Sequence, residues 1–364
     1  GIPLVLRLKS RGNYNRKCVI NDLVKGKVEF PENDLDQILI KENGIPVYHF
    51  AHVIDDHLMR TTHVLRGEEW FPSVPLHIEL FNLFGWKAPR YAHLSVITKI
   101  DETTGNRRKL SKRYDPEARM SYYHEEGVPV IATQKYLLTL ANSNFESWLD
   151  QNPDASIYDF NFDFKKMSAS GSLFDVEKLK NISRNHIARM SANEVYDQAL
   201  VYYKEFDPEF ATLLEKYKDY TINVLNIERV QKKPRKDYAY WKDIKPGIWY
   251  MYDELFAGND YAWGSINNID DIKNILNEYV TNYYDSNDDK DMWFNKIKDL
   301  CDKLGYASNM KEYKENPQNY KGSVADVSTV IRVALTTKNE TPDLFAIMEL
   351  LGKDRIIERI NKVK

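Results

Sequence analysis

Cysteine is scarce in this sequence: Cys18 and Cys301 are the only two in 364 residues. They lie far apart and match no zinc spacing, which excludes a disulfide scaffold or a cysteine-rich metal module and fits a reducing compartment. No apolar run is long enough to span a bilayer, and no charged-then-apolar leader is present, so neither membrane insertion nor export is expected, and the expected location is cytoplasmic. Charge of one sign is also lacking. Lys and Arg number 51 against 54 Asp and Glu, a formal net charge of -3, so any nucleic-acid binding has to use local basic patches. Internal repeats and low-complexity tracts are absent. With 43% hydrophobic and 29% charged residues, the chain reads as a globular protein of two to four domains.

One thing the sequence does have is a local concentration of base. "NRRKLSKR", residues 106–113, holds five basic side chains. It follows a short α/β pattern. Residues up to about 45 read as strands ("LVLRLK", "KCVIND", "QILIKENGIPVYHF"), with "ENG" as a turn signal. "VPLHIELFNLFGW" has helical spacing and stops at Gly85, and "YAHLSVITKI" reads as a strand. Strand, helix, strand is the pattern of a parallel unit whose ligands gather at the carboxyl ends of its strands. Beyond Tyr114 amphipathic helical patterns dominate, among them "DVEKLKNISRNHIARM", "PEFATLLEKYKDYTINVL", "KDMWFNKIKDLCDKLG" and "VADVSTVIRVALTT". "KKPRKDYAYWKDIKPG" reads as a joint between helical parts.

A loop after a strand with Lys109, Ser111 and Lys112 suits a polyphosphate whose charge must be neutralised as a bond to it breaks. The Lys-Leu-Ser-Lys-Arg order resembles the Lys-Met-Ser-Lys-Ser signature of class I aminoacyl-tRNA synthetases. Upstream, "VYHFAHVIDDHLMRTTHVLRGEEWFPSVPLHIELFNLFGWKAPRYAHL" is similar to the second half of the catalytic domain of the bacterial glutamyl-tRNA synthetases. "RLKS", "INDLVKGKVEF" and "DLDQILIKENGIPVY" resemble the end of that family's acceptor-binding insertion. "VADVSTVIRVALTT" and "TPDLFAIMELLGKDRIIERI" resemble its last helical bundle.

The resemblance implies a fold class of α/β plus all-α: a partial Rossmann-type catalytic domain followed by helical stem-contact and helical anticodon-binding domains. The implied parts are 1–45 (end of the insertion), 46–115 (second Rossmann half with the signature loop), 116–205 (stem-contact helices) and 206–364 (anticodon-binding helices). The family's first Rossmann half and its His-Ile-Gly-His motif have no counterpart in the sequence. The chain is therefore expected to be a fragment that binds tRNA without forming adenylate, whereas the parent protein is expected to be a ligase.

The resemblance also implies roles. Tyr48, His52, Arg66 and Trp70 would form the glutamate pocket, and a guanidinium fork is the natural bidentate partner of a carboxylate. At His52 some relatives carry an amide; an imidazole there would make glutamate affinity pH-sensitive, and a purely structural histidine is an equal alternative. Glu69 would contact ATP. Asp55 and Asp56 match an acidic pair, with helix capping the favoured reading of Asp56. Lys112 would stabilise the pyrophosphate leaving group, supported by Lys109 and Ser111, whereas Arg107, Arg108 and Arg113 would meet only tRNA phosphates or water. Arg332, Thr341, Pro342 and Leu344 would read the anticodon. Gln231 would stand where discriminating relatives carry an arginine, implying acceptance of glutamine tRNA as well, although a slip in register puts Arg229 there instead. ATP with its Mg2+, glutamate and glutamate tRNA are the implied ligands, with no protein metal site, no membrane and a monomeric state.

Overall fold

The computed structural model describes residues 4–258 and 260–363. The chain divides into two units, one of residues up to 123 with 130–182 and one of residues 124–129 with 183–364.

The first unit opens with four short strands, β1 (Leu6–Arg7), β2 (Lys17–Asp22), β3 (Gly26–Pro31) and β4 (Ile38–Ile40). β2 and β3 form an antiparallel hairpin with Cys18 opposite Phe30. Its turn ends on Gly26 at φ 74°, a conformation that costs glycine nothing. β1 pairs with β4. After Val47, which is its N-cap, the apolar residues of "VYHFAHVI" lie in a helix, α1 (Tyr48–Leu58), not in a continuation of the strand pattern. β5 (His63–Gly67), α2 (Val74–Leu83) and β6 (Arg90–Leu94) then build the expected parallel unit, with Arg66 directly opposite His93. "YAHLSVITKI" is two strands rather than one. β6 ends at Leu94, and β7 (Ile97–Ile100) joins a different sheet, antiparallel to β8 (Arg107–Lys109) and parallel to β9 (Ser172–Leu173). Leu8, Leu39, Val53, Leu76, Leu80 and Phe81 form a core between α1, α2 and the first strands. A smaller cluster of Ile20, Val74 and Tyr91 packs the hairpin onto β6, where the Leu23 N–H donates to the Tyr91 carbonyl at 2.8 Å. That bond delivers the end of β2 to the pocket described below.

The helices are α3 (Met120–Glu126), α4 (Val130–Ala141), α5 (Phe145–Gln151), α6 (Val176–Arg189), α7 (Ala192–Phe206), α8 (Pro208–Lys216), α9 (Lys218–Asn226), α10 (Ile244–Ile248), α11 (Ile269–Glu278), α12 (Lys290–Leu304), α13 (Met310–Glu315), α14 (Val324–Thr336) and α15 (Leu344–Val363). The boundary between the units falls within α6, at Ile182–Ser183. The expected single helix over 208–225 is two, broken at Tyr217. α15 breaks at Gly352, whose φ of 76° no other residue adopts as cheaply. The stretch expected as a joint lies inside the second unit, with Tyr238, Tyr240 and Trp241 buried.

Caps and apolar spacing account for the second unit's helices. Ser191 and Glu194 close a reciprocal capping box on α7, Asp289 accepts the Met292 N–H of α12, and Gly305 at φ 81° ends α12. α14 places Val327, Val330, Ile331 and Ala334 on one buried stripe against Ile272, Ile275, Ile297 and Leu300. Cutting Ile331 back to alanine there costs about 2–5 kcal/mol.

Candidate functional site

Arg66 is the centre of the first group. β5 carries it beside β6, and the parallel register sets it opposite His93. Its Nε–H donates to His93 Nε2 at 3.0 Å, one Nη to the Tyr48 hydroxyl at 3.2 Å, and the other to His77 Nδ1 at 3.2 Å and the Trp70 carbonyl at 3.5 Å. Its carbon lies 5.0 Å from the centroid of the Tyr91 ring. Tyr48 packs on Trp70 (4.2 Å between centroids) and stacks on His52 (5.7 Å). The structure thus brings together all four residues expected in this pocket. Every partner of Arg66 is a neutral acceptor, and among the described residues no carboxylate forms an ion pair with it.

His52 is buried and engaged on both nitrogens: Nδ1 with Asp56 Oδ2 at 2.5 Å and Nε2 with the Tyr91 hydroxyl at 3.1 Å. A carboxylate fixes the proton on Nδ1, so Nε2 accepts from the tyrosine. Burial lowers its pKa, with Asp56 opposing. Both ring nitrogens are thus engaged within the protein, and the ring face is stacked on Tyr48. Asp56 is not a cap. It sits one turn beyond His52 in the last half of α1, whose N-cap is Val47; Asp55 is exposed.

Four residues that sequence reading missed complete the group. His93 is fully buried and its Nδ1 lies 2.6 Å from Asp22 Oδ2 at the end of β2. His77, also fully buried, bridges Arg66 and His49, with Nε2 3.0 Å from His49 Nδ1. The sequence signal for them was faint: a histidine in each of three apolar segments, and an aspartate ending a strand 71 residues away in sequence.

Lys109, Ser111 and Lys112 lie at the end of β8 and in the turn that follows. The Ser111 N–H donates to Asp115 Oδ2 at 2.8 Å, and the Ser111 carbonyl accepts the Tyr114 and Asp115 N–H groups. The side chains of Lys109 and Lys112 are exposed, and neither ammonium has a hydrogen bond or ion pair among the described residues. Arg108 departs from expectation, because it is held by Asp101 and Asp115 and so is not a free phosphate contact. Glu69 is exposed, its carboxylate folded to within 2.1 Å of where a Cβ on Gly67 would sit. Its neighbour Glu68 is tied to Lys25 at 2.6 Å.

In the second unit one Nη of Arg332 (α14) donates to the Thr341 hydroxyl and to the Thr341 and Pro342 carbonyls, so it braces the loop that leads into α15. Leu344 is 3% exposed and belongs to the core; Thr341 is buried. Gln231 is exposed, its amide donating to the Lys233 carbonyl at 2.9 Å. Arg229 points inward, holding the Leu225, Ile187 and Met190 carbonyls at 2.9, 2.7 and 3.0 Å. Among the described residues no cluster of three or more His, Cys, Asp or Glu is placed to hold a metal, and no helix is long and apolar enough to cross a membrane.

Residues 1–181 match the family model for the catalytic domain of class I tRNA synthetases (E and Q), and residues 209–364 match an anticodon binding domain. The chain is 44% identical over 363 residues to the glutamate–tRNA ligase of Clostridium perfringens (strain 13 / Type A), covering 99% of the chain and 66% of the relative. It is 46% identical over 359 residues to that of Acetivibrio thermocellus, covering 99% and 65%, and 32% identical to that of Alkaliphilus metalliredigens, covering 100% and 68%. The chain therefore spans about two thirds of the length of these relatives. The crystal structure of a glutamate tRNA ligase from Elizabethkingia meningosepticum in complex with its amino acid superposes with a TM-score of 0.71 at 25% identity, covering 99% of this chain and 68% of that one. The chain belongs to the glutamate–tRNA ligase family of class I aminoacyl-tRNA synthetases.

Proposed function

We propose that this chain carries the amino-acid pocket, the signature turn and the anticodon-binding helices of an enzyme that joins glutamate to tRNA. Glutamate attacks the α-phosphate of ATP, giving glutamyl-adenylate and pyrophosphate; the terminal ribose hydroxyl of glutamate tRNA then takes the glutamyl group and releases AMP. The observation that carries this reading is Arg66, a guanidinium whose hydrogen-bonding partners are all neutral, walled by Tyr48 and Trp70. Such a site attracts a side-chain carboxylate and leaves an amide poorly matched.

In this reading Lys112, with Lys109 and Ser111, meets the leaving pyrophosphate, and the free ammonium of Lys112 in its braced turn fits that role. Glu69 contacts ATP, whose Mg2+ travels with the phosphates. Arg332, Thr341, Pro342 and Leu344 frame the anticodon surface, the last two through the shape of the loop. The four-part division at residues 45, 115 and 205, the monomeric state and a cytoplasmic setting belong to the same proposal.

The exposure of Gln231 and the inward hold on Arg229 favour a second element, acceptance of glutamine tRNA, since the arginine in that segment is already committed to three carbonyls. The test is charging of glutamate and glutamine tRNA transcripts with labelled glutamate or glutamine by the protein containing this chain. Charging of both tRNAs with glutamate alone is expected. Charging with glutamine overturns the role given to Arg66, and charging confined to glutamate tRNA overturns the role given to Gln231.

A further inference from the structure

The pocket's arginine is held from behind by a residue of another structural element. Asp22 ends β2 of the hairpin, and its carboxylate is fully buried, accepting His93 Nδ1 at 2.6 Å, the His93 N–H, and the Val24 and Lys25 N–H groups at 2.9 Å. Burial alone would raise its pKa; the bonds from His93 and the backbone outweigh that and hold it below the ordinary carboxylate value. His93 answers on its other side to Arg66, through Nε2 at 3.0 Å. An Nε–H of arginine has only a donor to offer, so His93 Nε2 carries no proton and Nδ1 does.

We propose that Asp22 and His93 are positioning residues for amino-acid selection: Asp22 locks His93 in its Nδ1–H tautomer, and the free Nε2 aims the Arg66 fork at the substrate carboxylate. This rests on the reading of Arg66 as the glutamate-binding residue. The arrangement solves a specific problem. A carboxylate placed directly on Arg66 would fix its angle but cancel its charge and occupy its fork. Routed through a neutral imidazole, the same carboxylate fixes the angle at Nε and leaves the charge free for substrate. The parallel register of β5 and β6, with Arg66 opposite His93, and the Leu23–Tyr91 backbone bond place the three side chains in line. The hairpin thereby becomes part of the amino-acid site, because movement of β2 shifts Asp22 and with it the tautomer that holds Arg66.

The test uses the whole chain. Long-range proton–nitrogen NMR reports the His93 tautomer and the exchange of the Arg66 Nε–H, and titration with glutamate and glutamine reports affinity. The expected result is an Nδ1–H tautomer at His93 and a slowly exchanging Arg66 Nε–H. Asp22→Asn mixes the tautomers, speeds that exchange and weakens glutamate about tenfold, the scale of one hydrogen bond to a charged group. His93→Leu behaves likewise, while His93→Gln, whose amide oxygen replaces Nε2 as acceptor, recovers most of the affinity. A merely structural role would not give this rescue or move the tautomer signal. An Nε2–H tautomer in the unaltered protein, or an Asp22→Asn protein with unchanged Arg66 exchange and affinity, overturns the relay. The expected NMR signatures without preference for glutamate over glutamine overturn the reading of Arg66, and with it the purpose assigned to the relay.

Discussion

Arg108 and Asp115 face each other across the turn that carries Lys112: one Nη lies 2.6 Å from Oδ2 and the other 2.7 Å from Oδ1. The Asp115 side chain is 2% exposed. Its bonds to Arg108 come first in holding the carboxyl down at about 2, burial opposes, and the Ser111 N–H adds to the lowering. A paired fork of this kind fixes orientation as well as distance. The turn is therefore braced at its base while both flanking lysines stay free. Asp115→Ala should expose the turn, and trypsin should then cut after Lys112 or Arg113 several-fold faster than in the unaltered chain. Unchanged cleavage at those bonds would mean that the pair does not hold the turn.

Lys112 follows from that geometry. An ammonium without a protein partner, presented on a rigid turn, can meet charge that develops only as the pyrophosphate departs. In the ligase proposed above, Lys112→Ala should lower kcat by orders of magnitude with little change in the KM for glutamate. Comparable losses in both would make the turn a substrate-positioning device.

Acid should loosen the first unit before its carboxylates titrate. Burial first, then the neighbouring His52 and Arg66, push His77 down to about 2; burial and Arg66 lower His49; burial lowers His52 despite Asp56. All three fold as neutral rings, yet titrate at about 6.5 when unfolded. Below that value the unfolded chain binds more protons, so stability is fully present above it and declines as pH falls. For His77 the decline continues towards about pH 2. Amide exchange of Leu80 and Phe81 between about pH 7 and about pH 5 should report a loss of up to about 1.4 kcal/mol per unit for each proton taken up. His77→Gln should flatten that slope by one proton. An equal slope in both proteins would place the acid sensitivity elsewhere.

Arg332 is tied into its own loop more tightly than a surface reader of bases would be. Arg332→Ala leaves the Thr341 and Pro342 carbonyls short of a donor, at a cost of about 1–3 kcal/mol to the second unit. Weaker tRNA binding should accompany the lower stability and depend on the anticodon sequence. A stability loss with no anticodon dependence would confine Arg332 to bracing.

The two thiols should differ sharply. Burial, then Asp302 and Asp326, push Cys301 up to about 12, and its side chain is fully buried. Cys18 is only partly covered, its thiol raised by burial and Glu32. A disulfide reagent should label Cys18 in the folded chain and reach Cys301 only on unfolding. Two equally fast thiols would contradict the packing of α12.

What the sequence made legible was local. The strand–helix–strand unit around α2, the amphipathic helices of the second half and the lysine-bearing turn all announce themselves through period, caps and spacing. The four expected pocket residues come together because one parallel unit and the helix before it carry them all. The misreadings share a physical cause, which is that partners distant in the chain decide. "YAHLSVITKI" splits because β7 has β8 and β9 to pair with; Arg108 looked solvated because Asp115 seven residues on returns beneath it; and nothing local marks Asp22 as the residue behind His93.

The most direct test of the central claim is binding of glutamate and glutamine tRNA transcripts to this chain at moderate salt, with anticodon-substituted controls. The expected result is binding that weakens when an anticodon base shared by the two tRNAs is changed, with similar affinity for the two tRNAs. Binding indifferent to the anticodon, or no binding, would contradict it.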